Sequence, residues 1–332
     1  MLCSKGILTL SVNNMFMMKK TIWIILLMFL MTDLHSQQMP MFNQYVWNRM
    51  LMNPAQSYLN EEAELFAMHR SQWSDISGGP NSQLMSLSGM LKNKKSGAGL
   101  LFTHDRIGLW DQVGGYGNYS YAVKLSEEMY LSAGVMLGGF QRSFEFERVK
   151  VKDGGDPQLM GNRINKAAFD GAGGINWHWK GLDVGLAVWQ IFGSEIRYLE
   201  TQQQAAYRVN KHMTANIQYS YKIVEDIGLW LRPAVMLRYI TTYGGFNQSS
   251  PLQLDGSLVV DAEKWGWIQL MYKQNYSLSA GIGIHESKRL KAGFSYDFAI
   301  FNAARSELGR TGELFISYTF KPGGRSVPQT LY

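Results

Sequence analysis

Apolar and polar residues alternate through most of the chain after residue 61, with a period of two. Ala215, Ile217, Tyr219 and Tyr221 share one parity, while Asn216, Gln218 and Ser220 take the other. After a break at Val224-Glu225-Asp226, the positions Ile227, Leu229, Leu231, Val235, Leu237 and Tyr239 fall on one face, with Gly228, Arg232 and Arg238 opposite. Side chains alternate across a strand, so each half reads as a strand with one apolar and one polar face. Both are longer than the ~5–6 residues usual in soluble sheets. Two such strands joined by a short polar turn make a hairpin with an oily outside and a wet inside, the repeating unit of a transmembrane β-barrel.

The same pattern predicts fourteen strands, over 62–71, 80–92, 96–106, 112–125, 128–141, 166–180, 181–192, 207–222, 226–241, 252–262, 264–275, 277–286, 289–301 and 310–320. Leu182, Val184, Leu186 and Val188 oppose Asp183, Gly185 and Ala187. Leu314, Ile316, Tyr318 and Phe320 oppose Glu313, Ser317 and Thr319. The connections form a second pattern. Those after even strands are short, as at Lys92–Ser96, Ser126–Glu127 and Ile223–Glu225. Those after odd strands are longer, as at Gln72–Gly79, Arg106–Asp111, Arg142–Asn165 and Phe192–Ala206, with one short exception near Asn275. Outer-membrane barrels sort short periplasmic turns from long extracellular loops in this way, and a soluble sandwich has no reason to. The predicted fold is therefore all-β, an antiparallel transmembrane β-barrel of about 14 strands with a short non-barrel N-terminal segment.

Composition adds mild support. Charged residues are 17% of the chain and aromatics 13%, with 34 glycines and 46% hydrophobic residues. A chain poor in charge, with mean hydropathy of only -0.17, fits a wall with one lipid face and one wet face, though it also fits a β-sandwich. The net charge of +6 comes from scattered Lys and Arg, which excludes a nucleic-acid footprint. Trp177, Trp179, Trp230, Trp265, Trp267, Tyr239, Tyr318 and Phe320 lie near strand ends, either as interfacial girdles or as core aromatics.

Lys19 and Lys20 precede an apolar run, Thr21 to Thr32, and then polar residues up to Gln37. That is the order of a secretory signal peptide, with cleavage expected near Ser36. The run is too short for a spanning helix, which needs about 20 apolar residues. Met15, Met17 and Met18 stand just before the lysines, so the first ~14 residues are expected to be upstream of the translated start. The single cysteine, Cys3, falls in that stretch. The expected organisation is an upstream segment and signal peptide at 1–36, an N-terminal periplasmic or lumenal segment at 37–61, the barrel at 62–320 and a tail at 321–332. The segment up to Asn60 lacks alternation and ends in the turn Asn53-Pro54-Ala55, placing it in the barrel mouth or lumen or against a partner.

Catalytic and metal chemistry is sparse. His69, His104, His178, His212 and His285 show no paired spacing of a zinc site. Asp153-Gly154-Gly155-Asp156-Pro157 lacks the spaced ligands of a calcium loop and reads as a turn. Neither a nucleophile elbow nor a phosphate loop occurs. Glycine clusters such as Gly97-Ala98-Gly99, Gly171–Gly174 and Gly281–Gly283 lie within strands, where they mark bends, bulges or crowded lumen positions. No cofactor, metal or catalytic residue is expected.

Several local patterns, in order, resemble the PorP/SprF family of Bacteroidetes outer-membrane proteins. They are Phe42, Gln44-Tyr45, Asn48 and Asn53-Pro54-Ala55, then Arg70, Gln72-Trp73 and Gly79-Pro80. Gly97-Ala98-Gly99-Leu100, Asp105, Ile107-Gly108, Tyr119 and Tyr121 follow, and Tyr296-Asp297 with Gly312-Glu313, Ile316 and Tyr318 close the set. Gln56-Ser57 departs from the aromatic and glycine that tend to follow the Asn-Pro-Ala turn in that family. The resemblance implies a barrel of the type IX secretion and gliding-motility machinery, serving secretion or anchoring a large surface adhesin. It brings no catalytic residues. Arg70 and Trp73, with Asn53 and Pro54 of the turn, are the candidate partner-binding residues, with packing as the alternative.

The leading functional expectation is an outer-membrane interaction protein whose partners are outer-membrane lipid and a secreted adhesin or type IX secretion subunit, with no nucleic acid. The alternative is a diffusion or hydrophobic-solute uptake channel, which needs an open or gated lumen. A barrel hydrolase with a Ser–His pair is a third reading, because triads are set by geometry instead of sequence order.

Overall fold

Seventeen strands form in the computed structural model, which describes residues 42–145, 164–197, 206–241, 252–298 and 309–321. The signal peptide, Cys3, the Asp153 turn and the tail beyond Lys321 lie outside the described residues. In chain order the strands are β1 (Ala63–Ser71), β2 (Asn81–Met90), β3 (Ser96–Ile107), β4 (Trp110–Ser126), β5 (Met129–Phe144) and β6 (Ile164–Trp179). Then come β7 (Leu182–Trp189), β8 (Glu195–Arg197), β9 (Ala206–Arg208), β10 (His212–Tyr219), β11 (Tyr221–Val224) and β12 (Leu229–Ile240). The last are β13 (Gln253–Ala262), β14 (Gly266–Lys273), β15 (Ser277–His285), β16 (Leu290–Phe298) and β17 (Thr311–Phe320).

Every neighbouring pair in the main sheet is antiparallel, and the sheet closes on itself. β1 pairs with β17 from Ala63↔Phe320 to Ser71↔Gly312, and β10 pairs with both β7 and β12. β11 continues the line of β10 along β12, so the closed barrel has fourteen staves and one extra short strand. The interruption has a local cause. Pro233 lies opposite Tyr219, where the pairing lapses between Gln218↔Ala234 and Tyr221↔Leu231, and proline has no N–H to offer a ladder. The strand expected from residue 207 is also divided: β8 and β9 form a separate two-stranded sheet, and the barrel strand starts at His212. Ile196 of β8 and Val209, just after β9, pack on Phe140 of β5.

Burial follows parity, inverted relative to a soluble protein. Outward positions are apolar and open: Phe169 is 65% exposed and Ile282 60%. Inward positions are polar and closed, among them Ser120, Asn176, Asn216, Ser279 and Glu313. A wall that hides serine and asparagine and displays isoleucine and phenylalanine suits a lipid surround, in which closure leaves no sheet edge unpaired. Trp265, Trp179 and Tyr318 face outward, whereas Trp230 and Trp267 are buried and face in, so the aromatics divide between girdle and core.

The even connections are all short, at 91–95, 127–128, 180–181, 225–228, 263–265 and 286–289. Two connections at the opposite end are also short, 274–276 and 108–109. The second corrects the longer loop expected at Arg106–Asp111: β3 and β4 pair as far as Ile107↔Trp110, and Gly108 takes the left-handed conformation (φ +59) that a two-residue turn needs.

Residues 42–62 run inside the barrel as a 3-10 turn at Gln44–Trp47, a short helix at Arg49–Met52 and a second 3-10 turn at Pro54–Leu59. Asn48 and Asn53 start the latter two, accepting from the N–H groups of Leu51 (3.3 Å) and Ala55 (2.9 Å). Asparagine is a favoured N-cap and proline a favoured first residue, which is the order Asn53-Pro54 supplies.

Candidate functional site, a segment latched inside the barrel

The first part of the lumenal segment is held by buried charge. Glu313 of β17 projects inward on the parity opposite Leu314 and accepts from two backbone N–H groups, Asn43 at 2.9 Å and Gln44 at 2.7 Å. Arg70, its cross-strand partner on β1, reaches Glu313 at 3.2 Å and Asp297 of β16 at 2.6 Å. The Asn43 side chain donates to Asp297 and, at 3.0 Å, to Ser295, while Ser279 donates to Asp297 at 2.7 Å. Gln269 of β14 donates to the Asn43 carbonyl at 3.2 Å. Arg70 is only 2% exposed, and the buried Lys273 ammonium acts through space on both carboxylates. Two cations therefore face two carboxylates out of water, where charge is tolerated only when paired and hydrogen-bonded.

An aromatic wedge follows. Trp47 lies 4.3 Å from Trp267 and 6.3 Å from Phe315, and Phe315 stacks on Phe66 at 5.0 Å. Trp267 fits because its neighbours across the sheet are Gly283 and Gly293; a Cβ at Gly283 would stand 2.0 Å from the indole. Each such pair adds about 0.5–1.5 kcal/mol beyond its buried area.

The later part is held by neutral hydrogen bonds from the opposite wall. Asn53 donates to the carbonyls of Ile175 on β6 (2.9 Å) and Leu186 on β7 (3.1 Å). The Pro54 carbonyl accepts from Asn118 at 3.1 Å, and the Ala55 carbonyl accepts from Ser132 at 2.9 Å. Gln56 donates to Asn176 at 2.8 Å, Ser57 meets Ser120 at 2.8 Å, and Asn48 and Asn60 donate to Ser86 (2.6 Å) and Ser88 (2.9 Å). The wall glycines make room for this contact. A Cβ at Gly174 would lie 2.1 Å from Asn53 Oδ1, one at Gly134 2.4 Å from the Pro54 carbonyl, and one at Gly97 2.3 Å from the Tyr58 nitrogen. Burial raises the Tyr45 and Tyr58 phenols well above their ordinary range, with the Asp255 and Asp183 carboxylates adding to it, so both stay protonated.

Of the residues singled out in the sequence, Asn53 and Pro54 thus lie in the lumen against β4, β6 and β7, and Arg70 lies in the charged latch. Trp73 stands apart on the 72–80 loop in a left-handed conformation (φ 57), half-buried, its N–H donating to Thr311 at 3.2 Å. The structure does not bring it to Asn53. Asn43, Asp297 and Glu313 complete the latch. A carboxylate on the wet parity of a spanning strand was the available signal, because ionisable groups at membrane depth are costly unless they have a task. Three of the five described histidines sit in separate pairs, His104–Asp111, His178–Asp183 and His285–Asp261, and among the described residues no three ligating side chains gather for a metal.

A family model described as type IX secretion system membrane protein PorP/SprF matches residues 34–318. No curated protein matches the chain by sequence. Among solved structures, the CymD monoaromatic hydrocarbon channel is 10% identical, with 82% of this chain and 92% of that one covered at a TM-score of 0.49. A Pseudomonas aeruginosa FadL homologue is 11% identical, covering 81% and 92% at 0.47, and the KdgM porin is 9% identical, covering 77% and 99% at 0.38. Likenesses this distant say nothing of what a lumen conducts.

Proposed function

We propose that this chain, which belongs to the PorP/SprF family of type IX secretion system membrane proteins, works as a closed docking barrel that holds, or helps export, a secreted surface adhesin or a secretion-complex subunit. It is an outer-membrane protein, and its family and fold are those of a secretion or transport component. The observation that supports the docking reading is the lumenal segment. It exchanges hydrogen bonds with β2, β4, β5, β6, β7, β14, β16 and β17, on both sides of the wall. A diffusion channel needs a continuous wet path with sites weak enough to leave. A segment fixed on eight strands occupies that path, so the useful surface of the barrel is its rim. Catalysis has no part in this reading.

Affinity isolation from outer membranes solubilised in mild detergent tests the proposal. A large secreted adhesin or periplasmic machinery subunits recovered in stoichiometric amount supports it. A barrel recovered alone that conducts ions steadily in planar bilayers sinks it in favour of the channel.

A further inference from the structure

We propose that one arc of the short-turn rim is a binding site for the phosphate headgroups of anionic phospholipid in the inner leaflet. Three neighbouring positions build it. The β2–β3 turn carries Lys92, Lys94 and Lys95, all exposed, and the β15–β16 turn carries exposed Lys288 and Arg289. Between them, β17 ends at Lys321, which is paired with Glu62 at 3.3 Å. The five exposed cations make no ion pair among the described residues; Glu61 and Glu286 are the other acidic groups on this arc. The rest of the rim is different. Lys124, Lys180 and Lys222 are each paired with a rim glutamate at 2.7–3.2 Å, namely Glu127, Glu128 and Glu225, Asp226 adds a further negative charge there, and exposed Lys264 on the β13–β14 turn follows directly on exposed Glu263.

Both cationic turns are pre-shaped. The Asn93 side chain accepts from the N–H groups of Lys95 (3.0 Å) and Ser96 (2.9 Å), and Ser287 Oγ accepts from those of Arg289 (3.2 Å) and Leu290 (3.1 Å). Such local side-chain turns fix where the cations project. What lies beneath them favours lipid over an acidic protein. Leu91 is exposed on the outward parity of Met85 and Leu87, Tyr121 is exposed opposite Ser96 at the turn, and exposed Tyr318 stacks on Phe320 beside Lys321. Outward aromatics mark the headgroup level of a barrel, and cations one step beyond it reach phosphate. Each cation near an anionic surface is worth about a fivefold gain in association.

The full-length barrel, stripped of lipid in detergent, is titrated with phosphatidylglycerol and with phosphatidylcholine of the same chains, and bound lipid is counted by native mass spectrometry. The expected result is preferential retention of phosphatidylglycerol that falls at least about tenfold in a Lys92→Ala/Lys94→Ala/Lys95→Ala variant. Lys124→Ala, on the paired arc, leaves retention unchanged. Equal retention of both lipids, an equal effect of Lys124→Ala, or full displacement by millimolar inorganic phosphate overturns the proposal, the last by reducing it to simple ion binding. Unchanged lipid retention in the triple variant together with loss of an acidic protein partner overturns it in favour of a protein dock.

Discussion

Replacing Arg70 by methionine isolates the energetics of the latch. The guanidinium contacts Asp297 at 2.6 Å and Glu313 at 3.2 Å, and both partners are as buried as it is, with side-chain exposures of 3% and 0%. Solvent screening is therefore absent. Methionine keeps most of the volume but leaves two carboxylates facing Lys273 alone, so one negative charge stays uncompensated. Breaking a buried pair in this manner costs about 3–5 kcal/mol, against ~0.2–1 kcal/mol for an exposed pair. Neutralising the whole group should cost less than breaking it. In Arg70→Met/Lys273→Met/Asp297→Asn/Glu313→Gln neither cation nor carboxylate of the latch is left orphaned, but the single amide oxygen left at position 313 serves only one of the two N–H groups that the Glu313 carboxylate caps. The loss is then about 1–3 kcal/mol. Guanidinium chloride unfolding of the detergent-folded barrel, followed by tryptophan fluorescence, measures both variants by linear extrapolation. A loss below ~1 kcal/mol for Arg70→Met, or a quadruple variant less stable than the single one, refutes the buried-latch account.

Other substitutions probe the remaining contacts. Asn53→Asp should destabilise more than Asn53→Ala, because both lose the donation to the Ile175 and Leu186 carbonyls but the carboxylate also sets a buried negative charge against them; the alanine change alone costs about 1–3 kcal/mol by the same unfolding measurement. Gly174→Ala forces the Asn53 side chain aside and should speed limited proteolysis within residues 42–60, whereas Gly256→Ala, with nothing within 4 Å of the new methyl, should leave the rate alone. Ile282→Arg puts a charge on an outward position in the middle of β15 and should cost about 2–4 kcal/mol in bilayers; no measurable loss there would contradict a lipid-facing wall.

The wall of the barrel is legible because period two acts residue by residue. Ile217 and Asn216 declare opposite faces without knowledge of any distant contact, and the outward and inward faces follow that parity in the structure. What depends on distant partners is not legible. Trp230 and Trp267 look like interfacial aromatics until Gly283 and Gly293 are known to lie beside Trp267, and the break between β10 and β11 depends on Pro233 across the sheet. The turn after Ile107 reads as longer than it is because Gly108 carries its turn conformation without any flanking polar run. The lumenal segment is the extreme case: Asn43 meets Asp297, and Asn53 meets Ile175 and Leu186, separations that no local pattern encodes. Asp297 and Glu313 stand out only through family resemblance and their parity, and their joint task becomes visible once β1, β16 and β17 lie side by side.

Steady-state conductance of the intact barrel in planar bilayers tests the central claim most directly, with folded insertion confirmed by protease protection in the same lipid. A lumen filled by residues 42–62 predicts no sustained ohmic current across the working voltage range. A stable current through the unmodified protein would mean that water and ions pass the latched segment, and would contradict the account of a closed docking barrel.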